Sequence, residues 1–263
     1  MCLLILAWRD QPGSRLLLLG NRDELHARPS AAADWWSDAP AVLGGRDLEA
    51  GGSWLGVTRS GRFAVVTNVR ESDPPTLLRA RSRGELVADF LRGNETPQRF
   101  VAGLGVASYA GYNLICGDRD SVWYGSNRAV ERALGPGVYA LSNATLDSPW
   151  PKVERLRARF SAARTAGEAA LFELLADRTP AAAPLRVRRS GDVALPNTDL
   201  GLEREQLLSA PFVVGTSYGT RASYLLALDA DGHGRFVERS FDRDARQRHE
   251  RAFEFDPSDT VRL

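Results

Sequence analysis

Residues 2–24 read CLLILAWRDQPGSRLLLLGNRDE, and this stretch decides the fold. Cys2 to Trp8 is an unbroken apolar run, long enough for a strand buried on both faces and too short for a signal or membrane-spanning segment. Turn chemistry follows at Asp10-Gln11-Pro12-Gly13-Ser14. Residues 15–20 then return as a second leucine-rich strand, so the two are expected to pair as a hairpin. The return strand carries Asn21-Arg22-Asp23-Glu24 back toward the chain start. Four polar residues closing a strand of leucines either form a solvated turn with local ion pairs or are held for chemistry, because burying them unpaired costs desolvation.

Cys2 stands directly after Met1, and removal of Met1 is the expected processing when the next side chain is this small. The mature chain would then open on a residue carrying both a thiol and an α-amino group. Such an amine titrates at about 7.7 to 8.0 in model compounds, so near neutrality a useful fraction is uncharged and can take the thiol proton. One residue then supplies nucleophile and base. The alternative is that Cys2 is merely the first small apolar residue of a buried strand. An Arg and an Asp brought beside the terminal group would hold the amine and lower the thiol pKa.

The chain has 263 residues, 43% of them hydrophobic, which suits one domain over 1–263 with a sizeable core. Lys plus Arg number 34 against 33 Asp plus Glu, and a net charge of +1 gives no electrostatic ground for binding nucleic acid. Cys2 and Cys116 allow one disulfide at most. With no secretion leader or membrane span, a reducing cytoplasm is the expected setting. His26, His233 and His249 are scattered without metal-ligand spacing, so no metal site is expected.

Further along, strands are expected at 53–58 and 62–69 around the Arg59-Ser60-Gly61 turn, then helices at 83–91 and 96–104. Strands at 112–116, 121–124 and 138–142 lead to one long helix over 152–176. A late hairpin pairs 220–228 with 235–241. Residues 181–195, rich in Pro, Ala and Arg, suit a surface loop. Strand runs with helices grouped before and after them fit a layered α+β sandwich better than a doubly wound parallel sheet.

Several motifs together resemble one family. They are Met1-Cys2, Asn21-Arg22-Asp23-Glu24, the stretch from Gly44 to Arg70 (GGRDLEAGGSWLGVTRSGRFAVVTNVR), Leu141-Ser142-Asn143 and Tyr218-Gly219-Thr220-Arg221. In these the chain resembles the NRDE family, also called the transport and Golgi organisation 2 family, across nearly its whole length. The resemblance implies an α+β fold, a four-layer αββα sandwich of the N-terminal-nucleophile hydrolase type. It implies no settled reaction, since members are connected with haem handling and with lipid or acyl-coenzyme A metabolism.

Cysteine-type hydrolases of that fold, which cleave bile-salt and penicillin amides, combine the terminal Cys with an Arg and Asp on the return strand, two Asn and a late Arg. Carried over by position, these roles fall on Cys2, Arg22, Asp23, Asn68, Asn143 and Arg221. An Asn amide at a strand end is a good oxyanion donor, and Asn68 and Asn143 each close a strand, on opposite sides of the expected Cys2 position. The chain departs from the hydrolase pattern in one respect. Arg22 and Asp23 are adjacent, so in a continuing strand their side chains point to opposite faces, and Asn21 or Glu24 could take one of the two roles.

Weaker signals surround this set. Trp54 lies in the most specific stretch of the resemblance and is a candidate ligand contact with Asn21, Glu24 and His26, the last as a haem ligand or pocket wall. Gly44-Gly45 and Gly51-Gly52 flank a flexible loop that either approaches a ligand or turns tightly. Trp35-Trp36 is either an aromatic pocket wall or a satellite packing cluster, and Cys116 reads as core.

Two functions follow. The first is a cysteine hydrolase or acyl-transfer enzyme acting on a small amide, ester or thioester, with no cofactor required. The second is a non-catalytic protein that uses the same cleft for haem or an acyl-coenzyme A. With no CxxC and no histidine pair, haem would be held through one axial ligand or none.

Overall fold

The computed structural model describes residues 3–71, 81–105, 109–182, 195–196 and 198–257. The expected nucleophile Cys2, with Met1, lies outside the described residues, as does most of the 181–195 loop.

The opening hairpin forms as β1 (Leu3–Gln11) and β2 (Ser14–Leu25). In β1 both faces are buried from Leu3 to Trp8, which is why the run shows no polar alternation. Leu4, Leu6, Leu16 and Leu18 face a core shared with the second sheet. Leu3, Ile5, Leu17 and Leu19 face helices. At roughly 1.5 to 3 kcal/mol per buried leucine, these faces anchor the hairpin between two layers.

β3 (Ser30–Trp36), β4 (Ala39–Asp47), β5 (Leu55–Thr58) and β6 (Phe63–Asn68) follow, then helices α1 (Arg83–Arg92) and α2 (Pro97–Ala102). β7 (Tyr112–Gly117), β8 (Val122–Ser126), β9 (Arg132–Leu134) and β10 (Gly137–Leu141) lead to α3 (Pro151–Ala166), α4 (Glu168–Leu175) and α5 (Leu202–Leu207). β11 (Tyr218–Asp229), β12 (Gly234–Phe241) and β13 (Gln247–Phe255) finish the chain.

The strands make two antiparallel sheets, one ordered β10-β1-β2-β11-β12-β13 and the other running from β3 to β9 in sequence. Three cores define the layers. Leu6, Leu18, Val57, Phe63 and Ile115 fill the space between the sheets. On the outer face of the first sheet, Ile5 and Leu19 meet Val153, Leu156 and Phe160 of α3 and Phe172 of α4. On the outer face of the second, Ala64, Val66 and Leu114 meet Leu86, Val87 and Phe90 of α1 and Val101 of α2. The result is a four-layer αββα sandwich, and buried Cys116 belongs to the outer core of the second sheet.

The structure corrects two local expectations and decides two that were left open. The helix expected over 152–176 is broken at Gly167, whose φ of 100° no helix accepts and most residues avoid. β3, β4 and β13 were not anticipated. Of the two readings of the loop between Gly44-Gly45 and Gly51-Gly52, the tight turn is the one that forms, at residues 48–50, with Gly44-Gly45 inside β4. A Cβ on Gly45 would sit 2.2 Å from the Trp54 ring, so the glycine is what lets the indole lie against the strand. Trp35-Trp36 proves to be packing: Trp35 meets Phe255 edge to face at 5.9 Å, and Trp36 Nε1 donates to the Gly44 carbonyl.

Candidate active site

The Asn21-Arg22-Asp23-Glu24 block is not a turn after the strand but the last part of β2 itself, held between β1 and β11. Alternation therefore governs it. Asn21 and Asp23 face one way and Arg22 the other.

Asn21 is fully buried. Its Nδ2 donates to the carbonyls of Leu175 and Pro211, both at 2.8 Å, and its Oδ1 accepts from Ser223 Oγ at 2.6 Å. That amide ties β2 to the end of α4 and to the loop before β11, and Asn21 lines neither lobe of the cleft described below. Asp23, 3% exposed, accepts at Oδ1 from Thr220 Oγ1 at 2.6 Å, and the same hydroxyl accepts from Val213 N. This hydrogen bond fixes the carboxylate against β11.

On the other face Arg22 lays its guanidinium over the Trp54 ring, 4.3 Å from the centroid, with Glu24 at 3.7 Å. Burial lowers the Arg22 pKa from its usual value, while the carboxylates of Glu24 and Asp47 oppose the shift. Glu24 itself accepts from Leu25 N.

Across the sheets, β6 ends at Asn68, and Asn143 follows β10. Asn143 Nδ2 donates to Asn68 Oδ1 at 3.0 Å and to the Asn68 carbonyl at 3.1 Å. The two amides are thus in contact rather than on opposite sides of a site, because the Thr67 hydroxyl donates to the Ser142 carbonyl and draws the two strand ends together. Asn113 braces the joint by donating to Thr67 Oγ1 and to the Ala144 carbonyl, and Tyr124 Oη donates to Asn113 Oδ1.

These pieces meet at one end of the sandwich in a two-lobed cleft. One lobe, of about 580 Å³, is lined by Arg22, Asp23, Glu24, Trp54, Thr67 and Asn68 among others. The other, of about 980 Å³, takes in Asn68, Arg70 and Asn143 together with the 200–208 and 215–218 segments. Asn68, Arg204 and Tyr218 belong to both.

Two sequence candidates stand elsewhere. Arg221 sits where the pairing of β2 and β11 slips by a residue, and its Nη1 donates to the carbonyls of Leu25, His26 and Arg28. It clasps the turn after β2 and does not line either lobe of the cleft. His26 donates from Nε2 to the Gly215 carbonyl at 2.9 Å, and its backbone N–H bonds Ser217. Its imidazole pins the 215–217 loop and lines neither lobe of the cleft.

Residues that sequence reasoning missed are the cleft residues Tyr218, Arg70 and Arg204, and Thr220, which holds Asp23. Thr220 and Tyr218 lie in the quoted late motif and could have been found there. Arg70 closes the quoted Gly44–Arg70 stretch, whereas Arg204 carries no local signal.

The family model described as "Transport and Golgi organisation 2" matches residues 1–243. The chain is similar to the Homo sapiens protein "Transport and Golgi organization protein 2 homolog", 34% identical over 279 residues, covering 97% of this chain and 99% of that one. The Bos taurus homologue of the same name is 35% identical over 264 residues, covering 91% and 93%. Among solved structures, the chain is similar to the Caenorhabditis elegans N-acylethanolamine-hydrolyzing acid amidase (NAAA) ortholog, at 14% identity and a TM-score of 0.46, covering 86% of this chain and 92% of that one. Among the described residues no helix is long and apolar enough to cross a membrane.

Proposed function

The chain belongs to the transport and Golgi organisation 2 family, and we propose that it is an N-terminal cysteine hydrolase of a small amide, ester or thioester. The observation that carries this reading is the cleft's polar set: a buried carboxylate, Asp23, fixed by Thr220, facing the same lobe as the Asn68 amide held by Asn143. β1 begins beside this set, with Leu3 opposite Asn21.

In the mechanism, Cys2 Sγ attacks the substrate carbonyl while its proton passes to the free α-amine, with Asp23 holding the resulting ammonium. The carbonyl oxygen becomes an oxyanion and takes a hydrogen bond from Asn68 Nδ2, on an amide whose Oδ1 is held by Asn143. Collapse breaks the bond to the leaving group, which departs with the ammonium proton and leaves a thioester on Cys2. Water, deprotonated by the amine, then releases the acid and restores the thiol. Hydrolysis of an activated p-nitrophenyl ester by wild type, and its loss in C2A, tests the assignment; equal rates for the two proteins would defeat it.

A second reading has its own observation. Six arginines, Arg22, Arg28, Arg70, Arg81, Arg83 and Arg204, line the two lobes against four carboxylates, Asp23, Glu24, Asp47 and Glu203. Arg204 is exposed and has no side-chain partner among the described residues. Such a rim suits the carboxylates of haem or the phosphates of an acyl-coenzyme A, so the cleft would act as a carrier site. Retention of an acyl-coenzyme A by C2A, with no turnover by wild type, would favour this reading.

A further inference from the structure

A second chamber lies behind the Arg22–Trp54 stack, on the far side from the cleft. It encloses about 280 Å³ between the first sheet and the start of β3 and opens past the exposed Arg248 and His249. Four of the side chains lining it carry a buried polar atom with no hydrogen-bond partner among the described residues: Arg22 Nη1, Arg221 Nε, Glu238 Oε2 and Ser240 Oγ. Glu238 and Arg22 are 2% and 3% exposed, so solvent at the surface does not satisfy them. Glu238 uses its other oxygen to accept from Ala33 N at 2.8 Å, which locks the carboxylate in place.

Unmet groups of this kind are rare in folded proteins and ask for an occupant. The set has a definite chemistry, two guanidinium donors facing a carboxylate and a hydroxyl that can accept. Its charge is closed as well once Glu238 is ionised, since Arg22 and Arg221 are then balanced by Glu238 and by Glu24 at 3.7 Å from Arg22, while Arg248 is paired with Asp242 at 2.9 Å. A neutral occupant is therefore favoured over an ion.

We propose that this chamber binds a small neutral carboxamide, its carbonyl oxygen accepting from Arg22 Nη1 and Arg221 Nε and its N–H groups donating to Glu238 Oε2 and Ser240 Oγ. The site shares only Arg22 and Trp54 with the cleft and does not depend on the hydrolase reading. Trifluoroacetamide, titrated against the full chain and followed by ¹⁹F line broadening, is expected to bind saturably and more tightly than trifluoroacetate. S240A removes one acceptor, and E238Q turns an acceptor into a competing donor. Each is expected to weaken the amide about tenfold, the effect of one lost hydrogen bond. C2A is expected to bind it as wild type does, which separates this result from the fate of the hydrolase. Three results would each overturn the proposal: no saturable binding, which leaves water as the occupant; tighter binding of the trifluoroacetate anion; or unchanged affinity in both chamber variants.

Discussion

Asn143 Nδ2 lies 3.0 Å from Asn68 Oδ1, so one amide holds the other. On the proposed mechanism the pair acts as one oxyanion device, with Asn68 as the donor and Asn143 as its support. Loss of a good oxyanion donor typically costs ~10² to 10³ in turnover. N68A and N143A are each expected to fall in that range with substrate affinity nearly intact, and the double variant to be no worse than the more damaging single one. Multiplying losses in kcat would mean that the two amides act independently.

The stack of Arg22 on Trp54 joins the cleft to the inter-sheet core. Lysine cannot lay a planar cation on the indole, so R22K is expected to lose about 1 to 2 kcal/mol in urea unfolding. W54A, which also empties core volume, is expected to lose about 3 to 5 kcal/mol. An unchanged urea midpoint for R22K would show the stack to be incidental.

Burial pushes the Glu238 carboxyl from its ordinary 4.5 up to about 7, against the pull of the Ala33 N–H and the Arg22 and Arg251 charges. Between those two values the folded chain keeps a proton that the unfolded chain has released, so stability falls as pH rises from 4.5 to about 7 and levels off beyond. The contribution is on the order of 3 kcal/mol. E238Q is expected to flatten this part of the stability curve measured by denaturant unfolding. An identical pH slope in E238Q and wild type would rule Glu238 out as its source.

Cys116 is fully buried, and desolvation pushes its thiol pKa well above the usual range. Iodoacetamide at neutral pH is expected to label Cys2 first and to reach Cys116 only on unfolding. Peptide mapping of the native protein checks this. Equal labelling of both thiols would make Cys2 an ordinary cysteine.

Much of this architecture was legible in residues 2–24, because strands buried on both faces leave an unbroken apolar run and a Pro-Gly turn between them fixes a hairpin. Helix α1 was legible for a similar reason: Ser82 and Glu85 form a capping box ahead of its apolar face. β13 was not, since this edge strand is exposed along nearly its whole length and carries charges on both faces, which erases the two-residue period. β3 and β4 hid behind alanines, prolines and glycines that suit turns in isolation, and they form through pairing with each other and with β5 and through burial of Ala33, Trp36, Val42 and Leu43. At the site, adjacency of Arg22 and Asp23 correctly implied opposite faces. The contact between Asn68 and Asn143 depends on Thr67 reaching Ser142, 75 residues away, and no local pattern reports such a pairing. The clasping role of Arg221 likewise follows from a register slip that the sequence does not announce.

The central claim is that Cys2, freed at the chain terminus, is the acylated nucleophile. Intact-mass spectrometry of the purified protein before and after brief exposure to an activated acyl ester tests it most directly. The expected result is a starting mass lacking Met1, a gain of one acyl group that maps to Cys2, and no gain in C2A. A starting mass that retains Met1 in protein that still turns over the ester, or equal acylation of C2A, would contradict the claim.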